Sequence, residues 1–204
     1  MLRPYLHPPS PCLRHRLPRY PAFAMPPNAP QSPAQVLPDY LRRGLDVVFI
    51  GINPVLASDA AGHHYAGPTN HFWPLLNEAG FAPERLTFHD DWRTPQYGLG
   101  LTNIVHRASR NIDDLTREEL REGAELLRAK LRRYRPRVIA FNGKSIAEAF
   151  LGGRIALGLQ PERWERTPVF VMPSTSARAA AYQRPAKLAF FQELKRLVDA
   201  ERPA

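Results

Sequence analysis

The chain has 204 residues, enough for one domain with a sizeable core, and 44% of them are hydrophobic. Its formal net charge of +9 favours encounter with polyanions, so nucleic acid is the first class of partner to consider. A single cysteine, Cys12, excludes a disulfide framework and a cysteine-based zinc site, and no apolar run approaches the roughly 20 residues of a membrane span.

The N-terminal segment has a composition of its own. Residues 1–38 hold eleven of the 22 prolines, four arginines and no acidic residue. Such a composition is typical of an extended tail, so we expect a single domain over residues 39–204. The proline density opposes the amphipathic helix of an organelle transit peptide, and Met25 is an alternative first residue.

The first half of the domain alternates strand and helix patterns. The β-branched run DVVFIGI (46–52) predicts a strand, and NHFWPLLNEAGF (70–81) predicts a short helix interrupted near Pro74. A second strand is predicted at GLGLTNIV (98–105). The clearest helix starts at a capping box of Thr116 and Glu119 and ends before Pro136. Its apolar stripe consists of Leu120, Ala124, Leu127 and Leu131.

The second half repeats the alternation. RVIAFNG (137–143) predicts a third strand that leads into the helix KSIAEAF (144–150), and TPVFVMPSTSAR (167–178) precedes a last helix at about Pro185 to Glu201. This order predicts an α/β fold of three layers, with a mostly parallel sheet flanked by helices. Ligands bind beyond the carboxyl ends of such strands, where loops starting at Asn53, Asn142 and Pro173 should emerge together.

Two motifs invite alternative interpretations. FNGKS (141–145) is not a phosphate-binding P-loop, because Val138 stands where that motif needs glycine, but Lys144 at a helix start suits one DNA phosphate. A tight turn with a solvated lysine is the alternative. His63, His64 and His71 lack the cysteine or carboxylate partners of a zinc site, so we expect no metal there.

Four motifs, GINP (51–54), GHHYAGPTNHFW (62–73), GLTNIVHR (100–107) and MPSTSAR (172–178), follow one another in the chain. In this order they resemble the mismatch-specific uracil-DNA and thymine-DNA glycosylase family, over about Leu45 to Leu197. The resemblance implies a uracil-DNA glycosylase fold and cleavage of an N-glycosidic bond without metal or cofactor. The target nucleotide would have to be flipped out of the duplex.

The resemblance also implies roles for individual residues. Asn53 would hold the attacking water, and Tyr65 would stack on the flipped base. Arg178 would enter the gap that the flipped nucleotide leaves in the duplex and contact the guanine that has lost its partner. Unlike Phe72 and Trp73, which we expect in the core, Tyr65 lies between two glycines. The predicted base pocket comprises Ile52, Ser58, His64, Tyr65, Asn70 and Asn103. The predicted DNA contacts are Lys144, Ser174, Ser176, Ala177 and Arg178.

The sequence departs from the family pattern twice. Val55 replaces the second glycine of GINPG, and Asp59 stands where a small uncharged residue is expected. A carboxylate near the sugar could activate water and stabilise a cation, so our hypothesis is that Asp59 contributes to catalysis together with Asn53, and the alternative is a surface acid without a catalytic role. Asp91 is a weaker candidate for the same role.

The expected activity is that of a monofunctional glycosylase in base-excision repair. Uracil opposite guanine in double-stranded DNA is the expected target, with thymine and modified pyrimidines as further candidates. A lyase reaction through Lys144 is disfavoured because nothing near it lowers a lysine pKa. The alternatives are a non-catalytic DNA-binding module and a metal-dependent hydrolase. We expect a monomer without membrane attachment, located in the bacterial cytoplasm or the eukaryotic nucleus.

Overall fold

A five-stranded sheet forms the centre of the computed structural model, which describes residues 37–109, 112–179 and 181–202. The strands are β1 (Val47–Gly51), β2 (Leu99–Asn103), β3 (Val138–Asn142), β4 (Gly158–Leu159) and β5 (Val169–Met172). Their order is β2-β1-β3-β5-β4, and β4 runs antiparallel to β5 at one edge, whereas the other pairs are parallel. The predicted mostly parallel sheet is confirmed.

Helices α2 (Phe72–Glu78) and α5 (Arg184–Ala200) cover one face of the sheet, and α3 (Arg117–Tyr134) and α4 (Lys144–Leu151) cover the other. A short helix, α1 (Leu56–Ala61), follows β1. Val47 and Phe49 of β1 pack with side chains of α2 and α5, whereas Val48 and Ile50 pack with α3 and α4. Successive strand residues point to opposite faces, so the uninterrupted apolar run of β1 produces two cores and three layers.

Helix α3 begins at the predicted capping box. The Glu119 N–H donates to Thr116 Oγ1 at 3.1 Å, and the Glu119 carboxylate accepts the Thr116 N–H at 2.8 Å. Arg135 ends the helix in the left-handed conformation, one residue before Pro136. The stripe predicted for the buried face lies against the sheet.

The predicted interruption of α2 at Pro74 is wrong, because the helix is continuous over Phe72–Glu78. Pro74 is its third residue, where the missing N–H has no helical partner to lose. Phe72 and Trp73 are buried in the core, as predicted. The last helix begins at Arg184, one residue before the predicted start.

Four elements in the described part of the chain were not predicted from the sequence. They are α1, the edge strand β4 and two 3-10 helices at Phe88–Tyr97 and Ile112–Asp114. Each is short or lacks a long apolar period, which is the signal that sequence patterns depend on. None of the described helices has the length and apolar character needed to cross a bilayer.

Residues 37 and 38, which the predicted tail includes, are packed against the rest of the described chain. Leu37 is 2% exposed, and the Pro38 carbonyl accepts a hydrogen bond from the His64 ring at 2.8 Å. Tyr40 then forms a bridge with Leu101 of β2. Residues 37 and 38 therefore belong to the domain, and the rest of the predicted tail lies outside the described residues.

Candidate active site

A cleft of about 100 Å³ opens where the parallel strands end. The ends of β1, β2 and β3 contribute Gly51, Asn103 and Asn142, and the loop after β5 contributes Ser174 and Ser176. This confirms the predicted convergence of three separate loops at one edge of the sheet. The described residues that line the cleft are Leu37, Gly51, Ile52, Asn53, Pro54, Val55, Ser58, His64, Tyr65, Asn70, Asn103, Asn142, Ser174, Thr175 and Ser176.

The orientation of the Asn53 amide follows from its partners. Its Nδ2 donates to the Arg107 carbonyl at 2.9 Å and to Ser109 Oγ at 2.8 Å. A carbonyl can only accept, so the nitrogen must face Arg107, and both of its hydrogens are used. No described residue donates to Oδ1, so Asn53, which lines the cleft, keeps an amide oxygen that can accept a hydrogen bond from water.

Tyr65 stands in the left-handed conformation at φ 56°, which is strained for a residue with a side chain. Its ring stacks on Phe72, with centroids 3.9 Å apart and an angle of 19° between the planes. The hydroxyl is buried without a hydrogen-bond partner among the described residues, and burial raises the pKa of Tyr65 well above its usual range. With Phe72 on one side, the ring can offer its opposite face to a flat ligand.

Gly51 allows the side chains of Asn103 and Tyr65 to meet at the floor of the cleft. A Cβ atom at position 51 would lie 2.4 Å from Asn103 Oδ1 and 3.2 Å from the Tyr65 hydroxyl oxygen. Asn103 is the last residue of β2 and is 5% exposed. The floor thus holds the Asn103 amide, a group that can hydrogen-bond the edge of a pyrimidine.

His64 is a neutral wall of the cleft. Its Nε2 must carry hydrogen, because it donates to the Pro38 carbonyl, and Nδ1 is therefore an acceptor. Burial lowers the pKa of His64. The Trp73 indole donates to the His64 carbonyl at 3.0 Å, which holds this part of the loop to α2.

Asp91 supports the same loop from beneath. The residue is fully buried, and its carboxylate accepts the His63 ring at 3.0 Å and the His64 N–H at 2.8 Å. It does not line the cleft among the described residues. These contacts give Asp91 a structural role in place of the weaker catalytic role considered from the sequence.

We expect Asp91→Asn to lower the free energy of unfolding by about 2 kcal/mol, because one buried donor loses its acceptor. Thermal and urea unfolding would measure the change. Asp113→Asn is the matched control, since Asp113 is exposed and should change stability by less than about 0.5 kcal/mol. Equal stability of the two variants would contradict the role of Asp91.

The loop after β5 is tied to the end of β3. Asn142 accepts the Thr175 N–H at 2.9 Å and donates to Thr175 Oγ1 at 2.9 Å. The Thr175 carbonyl accepts the His71 N–H at 3.0 Å. Asn142, the last residue of β3, was predicted from the sequence to start one of the loops at this edge of the sheet, whereas Thr175, three residues after β5, was not singled out.

Four predicted site residues lie outside the set that lines the cleft: Asp59, Lys144, Ala177 and Arg178. Asp59 is the fourth residue of α1, and no described residue bonds its carboxylate. Lys144 is exposed and lies 3.7 Å from Glu148 of its own helix, as the solvated-lysine alternative expects. Ala177 and Arg178 are exposed directly beyond Ser176.

The departure at Val55 needs no unusual backbone. Val55 precedes α1 with φ −76° and ψ 154°, an extended conformation that β-branched residues readily adopt. The rings of two of the three candidate histidines have separate partners, since His63 contacts Asp91 and His64 contacts the Pro38 carbonyl. The described residues contain no group of three or more His, Cys, Asp or Glu side chains that could hold a metal ion.

Comparisons with known proteins agree with this geometry. A family model for the uracil DNA glycosylase superfamily matches residues 38–197. The chain is 38% identical over 159 residues to the G/U mismatch-specific uracil DNA glycosylase of Schizosaccharomyces pombe. That match covers 72% of this chain and 49% of the relative, so the chain spans about half the length of the relative.

The fold is also similar to a solved structure. The solution NMR structure of a candidate uracil DNA glycosylase from Methanosarcina acetivorans matches with a TM-score of 0.57. The two chains are 20% identical in sequence, and the match covers 80% of this chain and 96% of the solved one, which shows a common fold. Since the family model spans most of the sequence, this chain belongs to the uracil DNA glycosylase superfamily.

Proposed function

We propose that this chain is a monofunctional DNA glycosylase that hydrolyses the N-glycosidic bond of uracil paired with guanine in double-stranded DNA. The observation that carries the proposal is Asn53, whose amide is oriented with its oxygen free at a cleft that also holds Tyr65 and Asn103. The name of the S. pombe relative supports the substrate. Thymine and modified pyrimidines opposite guanine are further candidates.

The cleft suits a base that has left the duplex. A nucleotide inside a helix is out of reach, and a mismatched nucleotide is extruded at lower cost. The Tyr65 ring would stack on the extruded uracil, while the Asn103 amide would meet its polar edge. Ser58, His64 and Asn70 would complete the wall around the ring.

Hydrolysis breaks the bond between C1′ of the sugar and N1 of uracil. The bonding electron pair leaves with the base, and the oxygen of water forms the new bond to C1′. The proton released by that water neutralises the departing base, and an abasic sugar remains. Asn53 can orient the water through Oδ1 but cannot keep its proton, so we expect a slow enzyme.

The DNA backbone would be held by the loop after β5. Ser174 and Ser176 offer hydroxyl groups at the rim of the cleft, and the exposed Arg178 lies two residues further on. An arginine there could enter the gap left by the flipped nucleotide and contact guanine. Lys144 is a more distant candidate for a phosphate contact, since it lies outside the cleft wall.

The purified chain should be incubated with an end-labelled duplex that contains one G·U pair and then heated in alkali. We expect strand breaks at the uracil, and no change when a chelator is added. Binding that weakens with salt but yields no breaks would support the non-catalytic DNA-binding module instead. Breaks that disappear with the chelator would support the metal-dependent hydrolase.

The position of Asp59 argues for Asn53 as the principal group that holds the water. We expect Asp59→Asn to keep the single-turnover rate on a G·U duplex within about twofold, because its carboxylate does not reach the cleft wall. The rate should be measured with enzyme in excess, beside wild type. A loss of about tenfold or more would support the catalytic role predicted from the sequence.

A further inference from the structure

Lys187 is a buried ammonium group that the proposed mechanism does not use. It lies in the first turns of α5 and is 2% exposed. Its Nζ donates to the Ser176 carbonyl at 2.9 Å, and no carboxylate in the described part of the chain pairs with it. Burial lowers the pKa of Lys187. A buried charge without a counter-ion is costly, so this position calls for a specific use of the ammonium group.

The surroundings of Lys187 add to this cost. Cations are disfavoured near a helix N-terminus, and Arg184 begins the same helix. Burial lowers the pKa of His71, and the nearby positive charges of Lys187 and Arg184 lower it further. A methionine of similar length would fill the site without any of these repulsions. The contact with Ser176 is therefore the feature that distinguishes lysine here.

The Ser176 carbonyl lies at the start of the turn that carries Arg178. It accepts the Ala179 N–H at 3.1 Å, which closes the turn. The Arg178 N–H donates to Ser176 Oγ at 3.3 Å. Ala177 and Arg178 are exposed on this turn. Any shift of the Ser176 carbonyl would thus redirect the Arg178 side chain.

Two other anchors act one residue earlier. Asn142 and the His71 N–H both hold Thr175, whereas Lys187 holds Ser176 itself. We propose that Lys187 is a positioning residue, whose ammonium group fixes the Ser176 carbonyl so that the turn presents Arg178 to DNA. This inference rests on the proposed function. A turn that is ordered before DNA arrives binds more tightly, because less freedom is lost on binding.

A double-mutant cycle tests the proposal. We expect Lys187→Met to raise the KM for a G·U duplex about tenfold, because a hydrogen bond to a charged group is lost. In an Arg178→Ala background the same change should have less than about a twofold effect. Equal factors in both backgrounds, or no effect in either, would overturn the proposal. Lys195→Met is the matched control, because Lys195 lies on the same helix and pairs with Asp199.

Hydrogen exchange gives a readout that needs no DNA. The Ala179 amide should exchange faster in Lys187→Met than in wild type or Lys195→Met, and unchanged exchange would count against Lys187. If wild type releases no uracil, the proposed function fails while this measurement still decides the role of Lys187. If Lys187→Met does not fold, Lys187→Arg keeps a donor and the charge; a KM for Lys187→Arg more than about tenfold above wild type would overturn the proposal.

Discussion

Asn53→Ala should slow uracil release from a G·U duplex by about a thousandfold in single-turnover experiments. The substitution removes the Asn53 amide oxygen that would hold the attacking water. A water without this hydrogen bond is rarely aligned for attack on C1′ of the sugar. Affinity for the duplex should change by less than about twofold, because under the proposed function Asn53 would contact the water beneath the sugar rather than the phosphate backbone. Rapid quench and fluorescence anisotropy would separate the two quantities.

Ser109→Ala provides a graded companion to this variant. It removes one of the two acceptors that orient the Asn53 amide, while the Arg107 carbonyl still holds Nδ2. A loss of about tenfold would show that the orientation of the amide matters as well as its presence. If Asn53→Ala stays within about tenfold of wild type, another group must position the water.

Gly51→Ala should lower kcat/KM by about a hundredfold, although it adds a single methyl group. The new Cβ would stand 2.4 Å from Asn103 Oδ1, so the amide must move by roughly an ångström, and such displacements cost about that factor. Overpacking should also lower stability by about 1–3 kcal/mol. Steady-state kinetics on a G·U duplex and thermal melting would measure both effects.

Gly67→Ala is the matched control for this variant. A Cβ at position 67 would meet Asn70 Cβ at 3.9 Å, which is an ordinary contact. Its kcat/KM should stay within about threefold of wild type. If both glycine variants are equally active, the close approach of Asn103 to Gly51 has no part in recognition.

The fold was largely predictable because its signals are local. Apolar runs such as Val47–Gly51 are buried on both faces, and the capping box of Thr116 and Glu119 lies within a few residues of the chain. The elements missed had weaker local signals. Pro74 was predicted to interrupt α2, but a proline is tolerated in the first turn of a helix. Pro74 lies in the first turn because the helix starts at Phe72, and the sequence pattern did not locate this start.

The site was predictable as a set of side chains but not as a network. The position of Asn53 follows from a motif, whereas its orientation depends on the Arg107 carbonyl, and every residue has a carbonyl group. The clamp between Asn142 and Thr175 joins residues 33 positions apart, which no periodicity reveals. Asp59 looked close to the site in sequence, but the turn of α1 takes it away from the cleft wall.

The described wall of the cleft contains no carboxylate, ammonium or guanidinium group. Its histidine, His64, is neutral at pH 7 because burial lowers its pKa from 6.5. Burial also raises the pKa of Tyr65, so the phenol keeps its proton at neutral pH. Under the proposed function, uracil would leave as an anion without protonation by an acidic side chain. Because no charged side chain lines the described wall, turnover should be slow and its rate should change little with pH.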